Sequence, residues 1–222
     1  MTAFSRPPSR LTPLQQDLVR AFFALDGELF LTGGAALAGY WLGHRTTDDL
    51  DLFGLPTADA DQAVRTLGAA ARSIGAESSI VQASPDFRRL LVRRGAETCK
   101  VDIVVDRAPA VESEKEVVDG VRLDSRREIA ANKVCALVSR AEIRDLVDLQ
   151  ALLSSGCSLE SALADAATKD GGAEPATLAW ILSQISIGPE AKLPGHVRPE
   201  ALLAFRDDLV VRLRKLAADV AR

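Results

Sequence analysis

Two aspartates, Asp49 and Asp51, stand two apart in the run Asp48-Asp-Leu-Asp-Leu-Phe53. In an extended strand alternate side chains share a face, so both carboxylates project one way and Leu50 and Leu52 the other. Carboxylates side by side repel, and a divalent cation removes that penalty. Mg²⁺ takes one or two carboxylates and completes its shell with waters and substrate phosphates, which suits this pair. A third aspartate, Asp102, interrupts the apolar run Val101–Val105. A charge there is costly unless it is paired or metal-bound. If a neighbouring strand sets it beside the first two, three carboxylates can hold two cations roughly 3.5–4 Å apart for in-line displacement at phosphorus. Upstream, Gly33-Gly34 sits between an apolar strand pattern and a short helix pattern, where backbone N–H groups and a helix N-terminus favour a phosphate. Each feature alone has a plainer reading. Gly-Gly is a strand-to-helix turn, Asp49 a surface or capping residue, and Asp102 an ion-paired strand residue with Lys100, Arg93 or Arg94 as partner. Together they point to metal-assisted phosphoryl chemistry.

The elements that must position these groups are legible in outline. Leu11–Leu25 has helical spacing, with Thr12 as N-cap, Pro13 at the first position and Gln15 completing a capping box. Strands are expected at Glu28–Thr32, Leu50–Phe53, Ser78–Gln82, Phe87–Val92 and Lys100–Val105, and helices at Ala35–Leu42 and Ala58–Ile74. From Ser125 onward the pattern is helical. A Ser125–Glu128 capping box opens a helix to about Ser139, and further helices are expected at Glu142–Leu153, Leu178–Ile187 and Pro199–Ala221. Lys169–Pro175 and Gly188–Pro199 read as loops. Mixed α/β sequence followed by all-α sequence fits an α+β fold, a mixed sheet with flanking helices and then a C-terminal helical lobe. The expected domains are 1–120 and 121–222.

Composition narrows the class. The 222 residues, 47% of them hydrophobic, can bury a real core. The net charge of −4 provides no global field that draws nucleic acid, though local patches could. Arg88, Arg89, Arg93 and Arg94 form such a patch, read either as an RNA grip or as a charged edge strand. Three well-separated cysteines without a CxxC suggest reduced, buried thiols and a cytoplasmic chain. The distant His44 and His196 argue against a His/Cys zinc site. No secretory signal or membrane span is expected. Arg206, Arg212, Arg214 and Lys215 read as a solvated helix face, and Trp41 as core.

The Gly33-Gly34-Ala35, Asp49-Leu50-Asp51 and Asp102 series resembles the DNA polymerase β-type nucleotidyltransferase superfamily. Within it the chain is similar to the AbiEii-type nucleotidyltransferase toxins. His44–Phe53 with Arg45 and Thr47, Val101-Asp-Ile-Val104, Glu128-Ile-Ala-Ala-Asn-Lys-Val-Cys-Ala-Leu137 and Arg144-Asp-Leu-Val-Asp-Leu149 carry that resemblance. It implies metal ligation by Asp49, Asp51 and Asp102, with Asp102 either completing a second metal site or helping to deprotonate the acceptor. Gly33, Gly34 and Thr47 would line the nucleotide, Lys133 would contact its phosphates, and Asp145 or Asp148 would complete the site. Without the resemblance Lys133 reads as a solvated helix lysine, and Asp145 and Asp148 as surface partners of Arg140 or Arg144. The implied cofactor is Mg²⁺ or Mn²⁺, the substrate an NTP, the acceptor an RNA or tRNA 3′ end, and the partner a cognate antitoxin. Ala35 departs from the usual Ser/Thr and removes a phosphate-binding hydroxyl, and the chain is short for the family. Two other classes are consistent with these residues: a small-molecule nucleotidyltransferase of the aminoglycoside-modifying kind, and a non-catalytic nucleotide-binding module.

Overall fold

The computed structural model describes residues 7–195 and 197–220, so His196 lies outside the described residues. The chain forms two compact units. The first runs through Arg107 and adds Ser113–Ser125; the second takes Ala108–Glu112 and the chain from Arg126 on.

The first unit is a mixed sheet with helices. Its elements are α1 (Pro13–Phe23), β1 (Phe30–Thr32), α2 (Gly33–Ala36), β2 (Asp49–Gly54), α3 (Ala60–Ser73), β3 (Glu77–Ser84), β4 (Phe87–Arg94), β5 (Glu97–Val105), β6 (Glu116–Val118) and β7 (Val121–Leu123). The seven strands lie in the order β3-β4-β5-β2-β1-β7-β6. β2 pairs parallel with β5 and antiparallel with β1, and β7 joins β1 in parallel. Thr12 and Gln15 form the expected capping box on α1. The Gln15 amide has a second duty and donates to the Thr47 carbonyl at 2.9 Å. On the sheet face opposite the aspartates, Leu50, Leu52, Val101 and Ile103 are buried. α1 and α3 pack on the sheet and on each other.

Several expectations shift in detail. The helix after β1 starts at Gly33 itself and runs on as a single π-helical turn, Leu37–Trp41. β6 and β7 have no clear sequence signature, since each has three residues and Val117 is exposed. The arginine-rich strand β4 is not an edge. It lies between β3 and β5, and Arg88, Arg89 and Arg94 are engaged by carboxylates.

The second unit is helical: α4 (Arg126–Arg140), α5 (Ile143–Ser154), α6 (Leu159–Lys169), α7 (Pro175–Gln184) and α8 (Pro199–Val220). α6 falls where the sequence reading assigns no helix, although Ser158 caps it and Leu159, Ala162, Leu163 and Ala166 form its buried stripe. Residues at i, i+3, i+4 and i+7 are a helical signature, so the signal was present. Arg206 is not on a solvated face; it donates to the Ile185 carbonyl and is largely covered. Of the cysteines only Cys99 is buried, and burial pushes its thiol up to about 12, while Cys135 and Cys157 are half-buried. No helix among the described residues is long and apolar enough to cross a membrane.

Candidate active site

The register between β2 and β5 decides the geometry. Asp51 lies directly opposite Asp102, and Asp49 opposite Lys100, so the three aspartates share one face of two adjacent parallel strands. Thr47 precedes them, and its hydroxyl donates to Asp49 Oδ1 at 2.8 Å. Thr32, the last residue of β1, is the register partner of Asp51 on the other side. The Gly-Gly turn therefore leaves the sheet beside the carboxylates.

Both glycines lie close to side chains, one on the carboxylate face and one buried. Gly33 has φ +61°, and a Cβ there would lie 2.5 Å from Asp51 Oδ2. A Cβ on Gly34 would lie 2.5 Å from Nη2 of the buried Arg45. Gly33→Ala is expected to cost about 1–2 kcal/mol through its left-handed backbone and to push the Asp51 carboxylate aside. Transfer rate should then fall further than denaturant stability; an unchanged rate would show that the Asp51 position is not critical. Ala35, which has no hydroxyl, is fully buried in α2.

The turn is anchored from behind by a buried cluster that the sequence reading does not contain. Asp124, just after β7, accepts from the Thr32 hydroxyl and from Lys115, both at 2.7 Å. Its carbonyl accepts from the indole of the half-buried Trp41 at 2.9 Å, and its N–H donates to Leu31. Lys115 also lies over the Phe30 ring, 4.4 Å from the centroid. These contacts link both ends of the α2 segment to β7. Nothing local in the sequence marks them, because Asp124 and Thr32 are 92 residues apart.

Asp102 does have an ion-pair partner, and it is Arg89 rather than Lys100, Arg93 or Arg94. The Arg89 guanidinium donates to both Asp102 oxygens at 2.7 Å. Hydrogen bonding to Asp102, then the charges of Asp102, Asp49 and Asp51, hold the Arg89 pKa above its ordinary value against the lowering that burial brings. Arg94 instead holds Asp17 and Glu97, and Arg88 holds Asp61. A sequence signal for the Arg89 pairing existed. Arg94 faces Glu97 across the turn at Gly95, and counting inward from that turn places Arg89 opposite Asp102.

The donor set is one of hard carboxylate oxygens, which fits Mg²⁺ or Mn²⁺ and not a thiophilic metal. Among the described residues no three such side chains converge on one point. A pair of carboxylates is enough when substrate phosphates and water complete the shell.

Lys133, Asp145 and Asp148 form a second cluster, within the helical unit. None is solvated. Both aspartates are fully buried, and Lys133 is 7% exposed. The Lys133 ammonium lies 2.8 Å from Asp145 Oδ1 and 2.7 Å from Asp148 Oδ2. Arg140 closes the cluster by donating to both Asp145 oxygens. Burial pulls the Lys133 pKa down, but the charges of Asp148 and Asp145 more than reverse this. Burial likewise raises Asp145, and Arg140 followed by Lys133 returns it below its ordinary value. Arg144 pairs with Glu142. Two further carboxylates of this unit are also engaged: Glu128 accepts from Lys169 and from the Glu112 N–H, and Asp165 holds Arg127.

A mixed sheet with Asp-x-Asp on one strand, a third aspartate on its parallel neighbour and a Gly-Gly helix start against them defines a nucleotidyltransferase of the α+β type. The chain belongs to the nucleotidyl transferase AbiEii toxin family of type IV toxin–antitoxin systems, whose sequence profile matches residues 16–219. It is similar in structure to JHP933 from Helicobacter pylori, at 25% identity and TM-score 0.58 with 94% of each chain covered. It is also similar to a putative nucleotidyltransferase from H. pylori, at 25% identity and TM-score 0.59 over 91% of this chain and 94% of that one. Beside these two structures the chain is not short. The nucleotidyltransferase toxin MenT4 from Mycobacterium tuberculosis H37Rv shares the fold, at 17% identity and TM-score 0.57 over 89% of this chain and 80% of that one. No curated protein matches the chain.

Proposed function

We propose that this nucleotidyltransferase toxin moves a nucleoside monophosphate from an NTP to an RNA 3′ end, tRNA foremost, with Mg²⁺ or Mn²⁺, in the cytoplasm and under the control of a cognate antitoxin. The observation that carries the reading is the carboxylate face of β2 and β5, with Asp51 against Gly33 and opposite Asp102.

Asp49 and Asp51 would hold the cation, with Thr47 fixing the Asp49 carboxylate. When bound, the cation offsets charge on the attacking and leaving oxygens. The Gly33-Gly34 backbone receives phosphate oxygens. Lys133 would contact the NTP phosphates, its ammonium held by Asp145 and Asp148. Asp145 and Asp148 orient that ammonium. The acceptor hydroxyl attacks the α-phosphorus in line and pyrophosphate leaves. Asp102 either takes the hydroxyl proton or joins a second cation.

The test is incubation with each α-labelled NTP, Mg²⁺ and total cellular RNA, with Asp49→Ala as control. Label should enter RNA with one or more NTPs for the wild type and not for the variant. Label in no RNA with any NTP, for wild type as for variant, would sink the RNA acceptor. NTP binding in calorimetry without turnover on RNA or on aminoglycosides would point to a binding module instead.

A further inference from the structure

We propose that Arg89 is the protein's own counter-cation for the carboxylate face, and that a divalent cation gains Asp102 by displacing it. The inference rests on the metal-binding reading of Asp49 and Asp51.

Three negative charges on adjacent strands need positive charge whether or not a metal is bound. In the structure Arg89 supplies it at Asp102, where it occupies both oxygens. This pairing takes one acceptor direction on each Asp102 oxygen, so a cation approaching on that side must displace the guanidinium. The two partners differ in their freedom to leave. The Arg89 side chain is 40% exposed and that of Asp102 12%, so the guanidinium has a way out into solvent and the carboxylate has not. A second resting place adjoins it, since the guanidinium carbon already lies 5.4 Å from the Phe87 ring centroid, two residues back on the same strand. The Lys133 side chain, by contrast, is only 8% exposed. Exchange at Asp102 means that Arg89 lowers the metal affinity of the empty enzyme and keeps the sheet stable until metal arrives.

Mn²⁺ titration of the full chain without nucleotide, read by the EPR signal of free Mn²⁺, tests this. Arg89→Gln should bind Mn²⁺ about tenfold tighter than wild type or more, since a charge-assisted bidentate pair no longer competes. Arg89→Lys, which keeps the charge and loses the fork, should fall between them and serves if Arg89→Gln is poorly folded. In EDTA, Arg89→Gln should melt below wild type, and Mn²⁺ should close the gap. Equal or weaker Mn²⁺ binding by Arg89→Gln and Arg89→Lys, while Asp49→Asn still abolishes it, overturns the counter-cation role and leaves the metal reading standing. Absence of Mn²⁺ binding in wild type and all variants overturns both.

Discussion

Asp51→Asn is expected to lower nucleotidyl transfer by a factor on the order of 10³ or more, about 4 kcal/mol of transition-state stabilisation, without unfolding the protein. Three features make Asp51 the most sensitive of the three aspartates. It is the register partner of Asp102, it is flanked by Thr32 on β1, and its Oδ2 occupies the space that a side chain on Gly33 would fill. It therefore touches the carboxylate pair and the Gly33-Gly34 turn together. Asparagine keeps the shape and removes the charge, which is the property a hard cation requires. Stability should change little, because one member of a pair of facing like charges is neutralised. Single-turnover transfer rates and thermal melting, measured on the same preparation, check both halves. A rate within tenfold of wild type would place the metal elsewhere.

Lys133→Met is expected to destabilise the helical unit by about 3–5 kcal/mol, the cost of leaving a buried charge without its partner. Asp145 and Asp148 are fully buried, and Lys133 bridges them. Arg140 still neutralises Asp145 in that variant. The double variant Lys133→Met with Asp148→Leu should regain part of the stability, since apolar replacement of a whole buried pair is often tolerated. Denaturant unfolding of the single and double variants measures this, and a single variant within 1 kcal/mol of wild type would show that the aspartates are satisfied without Lys133.

The same cluster sets the sign of the pH dependence. Asp145 is held below its ordinary value, so its contribution is complete above about pH 4 and is lost as pH falls further. Lys133 is held above its ordinary value, so its contribution is complete below about pH 10 and is lost as pH rises beyond that. Between those limits the cluster should leave stability flat.

Lys133, Asp145 and Asp148 also show where the sequence reading stopped. A charged residue on a helix reads as solvated, because local pattern reports which face is apolar and not what covers the other face. Only the family resemblance raised these three above ordinary surface ions. Their burial came from the packing of α4 and α5. The cluster of Thr32, Asp124 and Lys115 was out of reach for a related reason. Its members come from β1 and from the β6–β7 region, and three-residue strands leave no periodic trace.

By itself the sequence determined the α1 cap, the facing of Asp49 and Asp51, and the order of mixed α/β and helical parts. Those follow from local rules: capping chemistry, the two-residue period of a strand and the runs of apolar residues. Only the tertiary structure decided that Asp102 stands opposite Asp51. Strand order and register depend on which faces can be buried together, and that is a property of the whole sheet.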